Sequence, residues 1–325
     1  MADVSWSTSG GPGRITGDGA VVARAPAKVN VHLSIAPLRP DGYHDLQSVF
    51  LAVSLFDTVT VRPAEGLSLT VSGEGTTAEP GVDRVPTDRR NLVWRAAVLL
   101  AEQAGVKAHA SVDIAKSIPT AAGLAGGSAD AAAALVALDA LWNTGATRGD
   151  LAGLAAQLGS DVPFSLLGGV ALGSGRGEHL SPVLARRQTH WVLGIAREGL
   201  STPAVYAELD RLRATGRLPD GTALPSPQPV IAALSNGPPS ALAEALANDL
   251  EAPAIALRPE LRRALKATTD AGALAAFLSG SGPTVAALAE DEDSAVRLAA
   301  TLAGEGVFRT VRVVHGPVPG ARLVG

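Results

Sequence analysis

The chain has 325 residues, of which 46% are hydrophobic and only 3% aromatic, so it can build the cores of two ordinary domains, mainly from Ala, Val and Leu. Its formal net charge of −4 argues against a general nucleic-acid binder, which would carry a basic face, and the lack of cysteine excludes disulfides and thiolate metal sites. No apolar run approaches the roughly 20 residues that span a bilayer, so the expectation is a cytoplasmic protein with neither a membrane nor a nucleic-acid partner.

The first twenty residues, MADVSWSTSGGPGRITGDGA, lack the charged-then-apolar order of a signal peptide and read as a flexible extension. Val21 to Ile35 alternates and is broken by Pro26, as an edge or interrupted strand would be. A two-residue period puts Lys28 and Asn30 on one face and Val29, Val31 and Leu33 on the other. That polar face is either solvated or part of a site. Pro40-Asp41-Gly42 makes a turn and sets Tyr43 and His44 on its far shoulder. Such a pair can stack on and hydrogen-bond a flat ring, or can be a turn residue with a half-buried neighbour.

Phe50 to Val61 and Leu67 to Val71 alternate like the strands of a hairpin. Asn91 to Ala104 carries a helical stripe at Leu92, Val93, Ala96, Leu99 and Leu100, and Val106 to Ile114 reads as the next strand. It feeds KSIPTAAGLAGGSADAAAALVALDAL, where Gly123, Gly126 and Gly127 precede Ser128, the expected N-cap of an alanine-rich helix. Unpaired amides and partial positive charge at a helix start suit an anion such as a phosphate. The Walker A pattern GxxxxGK[ST] is absent, and an ordinary tight strand-to-helix turn would also use these glycines. Ala134, Leu135, Leu138, Leu141 and Trp142 mark the buried face of the helix. Asp130 in its first turn suits the dipole but would repel phosphates unless a cation lay between.

Thr147 to Leu158 is an amphipathic helix ended by Gly159, and Asp161 in the following Ser-Asp-Val-Pro turn is either a plain turn residue or a reactive carboxylate. Strands near His190 to Ala196 begin a second domain, and Leu200 to Tyr206 leads into a short helix. Arg217 to Ser240, rich in Pro and Gly, reads as a surface connection. Helices follow near Ala241 to Leu250 and Pro259 to Ala267. Phe277 to Leu288 holds a second glycine turn, Ser294 to Gly304 is helical, and a strand from Arg309 to Val314 closes the chain. Of 27 basic residues only Lys28, Lys107, Lys116 and Lys266 are lysine, and two of these lie in the segments singled out. The six His lack metal-ligand spacing.

Taken in order, APAKVN, PTAAGLAGGSAD, GSDVPF and LSGSGPT resemble the motifs of the GHMP kinase superfamily, over about Ala25 to Leu288. PAKVNVHLSI followed by RPDGYHDLQSVF is similar to the branch acting on a cytidine-diphosphate-linked methylerythritol, and Asn248 to Glu251 (NDLE) resembles another landmark. The chain departs from the pattern at Ala125, where many relatives have a third consecutive glycine, and at Thr120, usually apolar.

The resemblance implies an α+β, two-domain GHMP kinase fold: a ribosomal-S5-domain-2-like domain over 21–185 and a ferredoxin-like α/β sandwich over 186–325, with 1–20 as the extension. It implies an ATP-dependent kinase with Mg²⁺ that phosphorylates a hydroxyl of a small molecule. Pro119, Thr120, Ala121, Ala122, Gly123, Leu124, Ala125, Gly126, Gly127, Ser128 and Ala129 would hold ATP, with Lys116 a further candidate and Ser128 a candidate Mg²⁺ ligand. Asp161 would accept the substrate hydroxyl's proton and Lys28 would neutralise developing charge. Asn30, Tyr43, His44 and Tyr206 would bind substrate, and Ser279, Gly280, Ser281 and Gly282 would support the ATP loop. Alternatives are a homoserine-type kinase and a non-catalytic nucleotide-binding protein of the same fold. A protein of the latter kind could dispense with Lys28 and Asp161, whereas this chain has both.

Overall fold

A computed structural model of the protein describes residues 19–76 and 84–324; the expected N-terminal extension lies, up to residue 18, outside them. β1 (Val21–Leu38) is one 18-residue strand at the centre of a sheet, antiparallel to β2 (His44–Arg62) along most of its length. It is neither an edge strand nor broken. Pro26 sits at a register shift, where its missing N–H costs the ladder nothing. A second shift between Asn30 and His32 leaves Val31 as an extra residue, and the alternation changes face there. Val29 and Val31 therefore enter the main core while Leu33 and Ile35 enter the second, so Leu33 does not share their face as the simple period implied.

β3 (Leu67–Gly73), α1 (Leu92–Ala104) and β4 (Ala110–Lys116) follow, and the strand order is β1-β2-β4-β3 with β3 parallel to β4. The expected β2–β3 hairpin is not formed. A helical crossover between β3 and β4 makes a βαβ unit whose strands must be parallel neighbours, and β4 consequently lies between β2 and β3. Asn91 caps α1 by accepting from the Val93 amide, and Gly105 ends it with positive φ. α2 (Gly126–Trp142) begins at Gly126 after Ala125 in the left-handed region, so Ser128 lies inside the first turn and is not the N-cap. It is buried nearly all round, and its alanines let it lie close against β1, β2 and α1.

α3 (Arg148–Leu158) starts with a reciprocal Thr147–Asp150 capping box, as the amphipathic segment requires. α4 (Val162–Leu167) then leads into the hairpin of β5 (Val170–Ser174) and β6 (His179–Pro182), which pairs with β2.

β7 (Thr189–Ile195), α5 (Thr202–Ala214), α6 (Gln228–Asn236), α7 (Pro239–Ala245), β8 (Ala247–Asn248), α8 (Glu251–Leu257), α9 (Glu260–Asp270), β9 (Ala275–Leu278), β10 (Val285–Ala289), α10 (Glu292–Glu305), β11 (Thr310–Gly316) and β12 (Arg322–Leu323) complete the chain. An antiparallel sheet ordered β11-β7-β10-β9 packs against α9 and α10, which is the ferredoxin-like sandwich. Three expectations change in this half. The Pro-rich stretch after Arg217 contains α6, which sinks Val230, Ala233 and Leu234 into the main core. Ala241 to Leu250 is not one helix, because Ala247 and Asn248 pair with His32 and Leu33 of β1. The chain does not close at Val314 either: β12 returns to pair with β1 in the first sheet. Among the described residues no helix is long and apolar enough to cross a membrane.

Candidate active site

The middle of β1, the turn before α2, the start of α4 and the turn after β9 converge on a cavity of about 510 Å³. Close backbone packing fixes this meeting point. Gly123 has φ +74°, and a Cβ there would lie 2.3 Å from the Ser279 carbonyl oxygen and 2.9 Å from that of Gly282. The Ser279 hydroxyl donates to the Gly123 carbonyl at 3.1 Å, and the Lys28 amide donates to the Leu124 carbonyl at 3.2 Å. Glycine at 123 is thus required twice, for its dihedral and for its missing side chain.

The NDLE segment, whose Leu250 lines the cavity, holds the second turn. Asn248 Nδ2 donates to the Leu278 and Gly280 carbonyls, each at 2.7 Å, and Glu251 Oε2 accepts from the Leu278 amide at 3.0 Å. Asp249 accepts from the Ile35 amide at 2.8 Å. The motif is a clamp between β1 and the 279–282 turn.

At the start of α2 the Ala129 amide reaches the Ala125 carbonyl, so the amides of Gly126, Gly127 and Ser128 have no partner within the helix and face the cavity's edge. No side chain caps them. Ala121 and Ala125 adopt positive φ (50° and 58°) to form the bend. The result is a cradle for an anion.

On the facing wall Lys28 Nζ lies 3.8 Å from Asp161 Oδ2. Lys28 is held in place, donating to Asn30 Oδ1 at 2.5 Å, while Asn30 Nδ2 donates to Ser48 Oγ at 2.8 Å and Ser48 donates to the His32 carbonyl at 2.9 Å. Asp161 precedes α4 but makes no capping hydrogen bond, and its side chain is a third exposed, towards the cavity. Its carboxylate therefore keeps acceptor capacity for a ligand hydroxyl. Burial, with the Asp161 charge adding to it, pushes the Tyr206 phenol up to about 12, so it stays a donor.

Lys116 does not join this wall. Its ammonium is almost fully buried and lies 2.6 Å from both Asp57 Oδ2 and Asp130 Oδ2. Asp57 Oδ1 in turn accepts from the Ser117 and Ile118 amides at 2.6 and 2.8 Å. The cluster braces the turn ahead of α2 from beneath, and Lys116 is not among the residues that line the cavity. Asp130 answers its sequence puzzle here, because its carboxyl is turned towards Lys116. Burial pushes its carboxyl well above the usual range, Lys116 opposing and Asp57 reinforcing the shift. Leu124 and Ala129 are buried behind the loop and can contribute only main chain. Sequence reading missed Asp57 altogether; a lone acid in the apolar strand SLFDTVTV was the available signal.

Lys28, Asn30, Asp161, Tyr206, Gly280 and Ser281 line the cavity along with residues 119–123 and 125–128. Tyr43 is 53% exposed and does not itself line the cavity; the guanidinium of Arg176, which does, lies 5.1 Å from its ring centroid. His44 is buried, with Nδ1 2.8 Å from the Ala36 carbonyl, Nε2 3.3 Å from Asp210 Oδ2 and its ring 5.4 Å from that of Tyr206. Both ring nitrogens thus have protein partners, so His44 in this state supports Tyr206 from behind and does not present a nitrogen to the cleft.

The family described as GHMP kinases N terminal domain matches residues 91–169, and GHMP kinases C terminal matches 230–307. The chain is 57% identical over 304 residues, 94% of it and 96% of the relative, to the 4-diphosphocytidyl-2-C-methyl-D-erythritol kinase of Nocardia farcinica. It is 55% identical over 306 residues to the enzyme of that name from Mycobacterium tuberculosis, covering 94% and 93%. A crystal structure of 4-(cytidine 5'-diphospho)-2C-methyl-D-erythritol kinase superposes with a TM-score of 0.72 at 34% identity over 94% of this chain and 99% of that one. Homoserine kinase from Cytophaga hutchinsonii shares the fold, with a TM-score of 0.70 at 18% identity over 99% and 100%.

Proposed function

The chain belongs to the GHMP kinase family, and on that premise we propose that it transfers the γ-phosphoryl group of ATP to the 2-hydroxyl of 4-diphosphocytidyl-2-C-methyl-D-erythritol, giving the 2-phosphate and ADP. This step belongs to isoprenoid-precursor synthesis by the non-mevalonate route, in a cytoplasmic setting. The observation that carries the reading is the Lys28–Asp161 pair at 3.8 Å sharing one cavity with the unpaired amides that open α2. The relatives' names supply the substrate.

Phosphoryl transfer asks a protein chiefly for positioning and charge stabilisation. Main-chain amides of 122–128 would hold the ATP phosphates. Among the described residues no group of three or more His, Cys, Asp or Glu forms a metal cage, which fits a Mg²⁺ bound mostly by nucleotide oxygens and water, with the Ser128 hydroxyl as protein ligand. Bound there, Mg²⁺ would supply neutralisation of phosphate charge. Asp161 accepts the hydrogen of the substrate hydroxyl and aims its oxygen at the γ-phosphorus. The new O–P bond forms as the bond to the β-phosphate oxygen breaks. A tertiary alcohol is a weak acid, so its proton reaches Asp161 late in the transfer. Lys28 faces the transferring group with its ammonium. Tyr43 and Tyr206 would take the cytosine between them, with His44 supporting Tyr206, and Asn30 would reach the polyol.

A coupled ADP-release assay tests the reading directly. Turnover with the diphosphocytidyl substrate and little with homoserine, mevalonate or galactose is expected; preferential turnover of any of the latter three overturns the substrate assignment.

A further inference from the structure

The tip between β5 and β6 brings a residue to the cavity that the phosphate loop, the Lys28–Asp161 pair and the aromatic pair leave without a task. Arg176 lines the wall shared with Asp161 and Tyr206. Its backbone is fixed: the Arg176 amide donates to Glu178 Oε2 at 2.7 Å, and the Leu46 amide donates to the Gly175 carbonyl at 2.8 Å, tying the tip to β2. The side chain is about half exposed and rests on the face of Tyr43. Its Nε lies 3.6 Å from Glu178 Oε1, beyond hydrogen-bond distance, and among the described residues the two terminal nitrogens have no hydrogen-bond partner.

The charges on the cavity wall make this cation significant. Besides Arg176, the ionised residues lining the cavity are Lys28 and Asp161, which offset each other. Arg176 is thus a second cation on the cavity wall; Glu178, behind the tip, pairs with its Nε side at 3.6 Å and leaves the two terminal nitrogens to a ligand. A guanidinium offers parallel donors that match phosphate oxygens, and it slides readily over an aromatic face.

We propose that Arg176 recognises the diphosphate linking base to polyol and thereby selects a nucleoside-diphosphate-linked alcohol over a bare one. The assignment rests on the cytidyl-substrate reading above. A ring stacked on Tyr43 would place its attached phosphates beside the guanidinium fork, between the aromatic pair and the Lys28–Asp161 pair. Glu178 holds the hairpin tip without closing that fork.

Calorimetric titration with cytidine and with cytidine diphosphate, under saturating non-hydrolysable ATP analogue so that the α2 cradle is filled, tests the assignment without turnover. The wild-type protein should bind the diphosphate at least about tenfold more tightly than the nucleoside, as expected for a charge-assisted, forked contact. Arg176→Met should remove most of that preference while cytidine affinity changes less than about threefold, and Arg176→Lys should restore only part of it. In steady state Arg176→Met should raise KM for the diphosphocytidyl substrate about tenfold, with kcat and the ATP KM little moved. An unchanged diphosphate preference in Arg176→Met overturns the proposal, as does equal weakening of both ligands, which would mean that Arg176 acts only through Tyr43. Wild-type protein that binds neither ligand overturns the cytidyl reading itself and this assignment with it.

Discussion

Lys116 Nζ and Asp130 Oδ2 lie 2.6 Å apart in a space closed to water, joining the end of β4 to the first turn of α2. With Asp57 as a third member, the cluster couples the shape of that turn to the protonation of buried groups. The ammonium is held charged: burial opposes this, but the two carboxylates more than compensate and raise its pKa. Removing Lys116 would leave two acids buried without a cation, a change that costs about 3–5 kcal/mol in comparable pairs. Lys116→Met should unfold at correspondingly lower denaturant and bind ATP poorly. Wild-type stability in that variant would show that the cluster holds nothing.

The same cluster gives stability a pH signature. Burial raises the folded-state pKa of Asp130 above the ordinary carboxylate range, so the folded protein retains this proton where the unfolded chain has lost it. Stability from this group is therefore present at low pH and falls as pH rises from about 4 towards the raised value. Asp130→Asn removes that dependence. The difference in unfolding free energy, wild type minus variant, should decline as urea titrations move from pH 4 to 8. A flat difference would mean that Asp130 titrates alike in both states.

Asp161→Asn keeps the shape of the side chain and removes the proton acceptor. Its kcat should fall by at least about 10²-fold, while ATP affinity changes little because the amide cradle is untouched. Near-wild-type turnover would remove Asp161 from the chemistry.

Tyr43→Ala should raise KM for the diphosphocytidyl substrate by the equivalent of about 1–3 kcal/mol, the range found for base stacking on an aromatic side chain. The ATP KM should hold, since Tyr43 belongs to the connection between β1 and β2 and not to the turn ahead of α2. Equal rises in both constants would reduce Tyr43 to a scaffold residue.

Two substitutions in one turn should act in opposite directions. Gly123→Ala places a Cβ 2.3 Å from the Ser279 carbonyl and forces alanine to φ +74°. The two turns must then separate, and ATP binding should be lost with a stability cost above about 1 kcal/mol. Ala125 already bears a left-handed φ of 58°, which costs a non-glycine residue roughly 1–2 kcal/mol. Ala125→Gly should recover up to about 1 kcal/mol after the entropy of the freer unfolded chain is counted. Thermal melts of both variants check the pair, and a melting shift of the same sign for both would contradict it.

Local patterning exposed most of the helices and the phosphate turn, because capping residues and glycine spacing act over a few residues. Asn91 and Gly105 bound α1, Thr147 and Gly159 bound α3, and Gly123, flanked by Ala121 and Ala125, is where the chain bends ahead of α2. The branch of the family was legible as well, in the Asp-Gly-Tyr-His segment and the four motifs in order. Strand partners were not legible. β2 and β3 read as a hairpin, yet the α1 crossover inserts β4 between them, and β12 crosses back to β1 from the far end of the chain. Strand alternation describes which way a residue points and contains nothing about which strand lies beside it.

What the sequence determined by itself was therefore a set of chemical parts: a bend suited to phosphates, a lysine, an aspartate and aromatic rings. Tertiary structure decided their assignment. It brought Lys28 to 3.8 Å from Asp161, withdrew Lys116 beneath the loop to meet Asp57 and Asp130, turned His44 inwards, and set Arg176 at the cleft. The physical reason is that a side chain's charge state and reach depend on what desolvates it. Two buried lysines of equal intrinsic basicity were parted by their partners: Lys116 is enclosed by Asp57 and Asp130, while Lys28 meets Asn30 and Asp161 on the cavity wall.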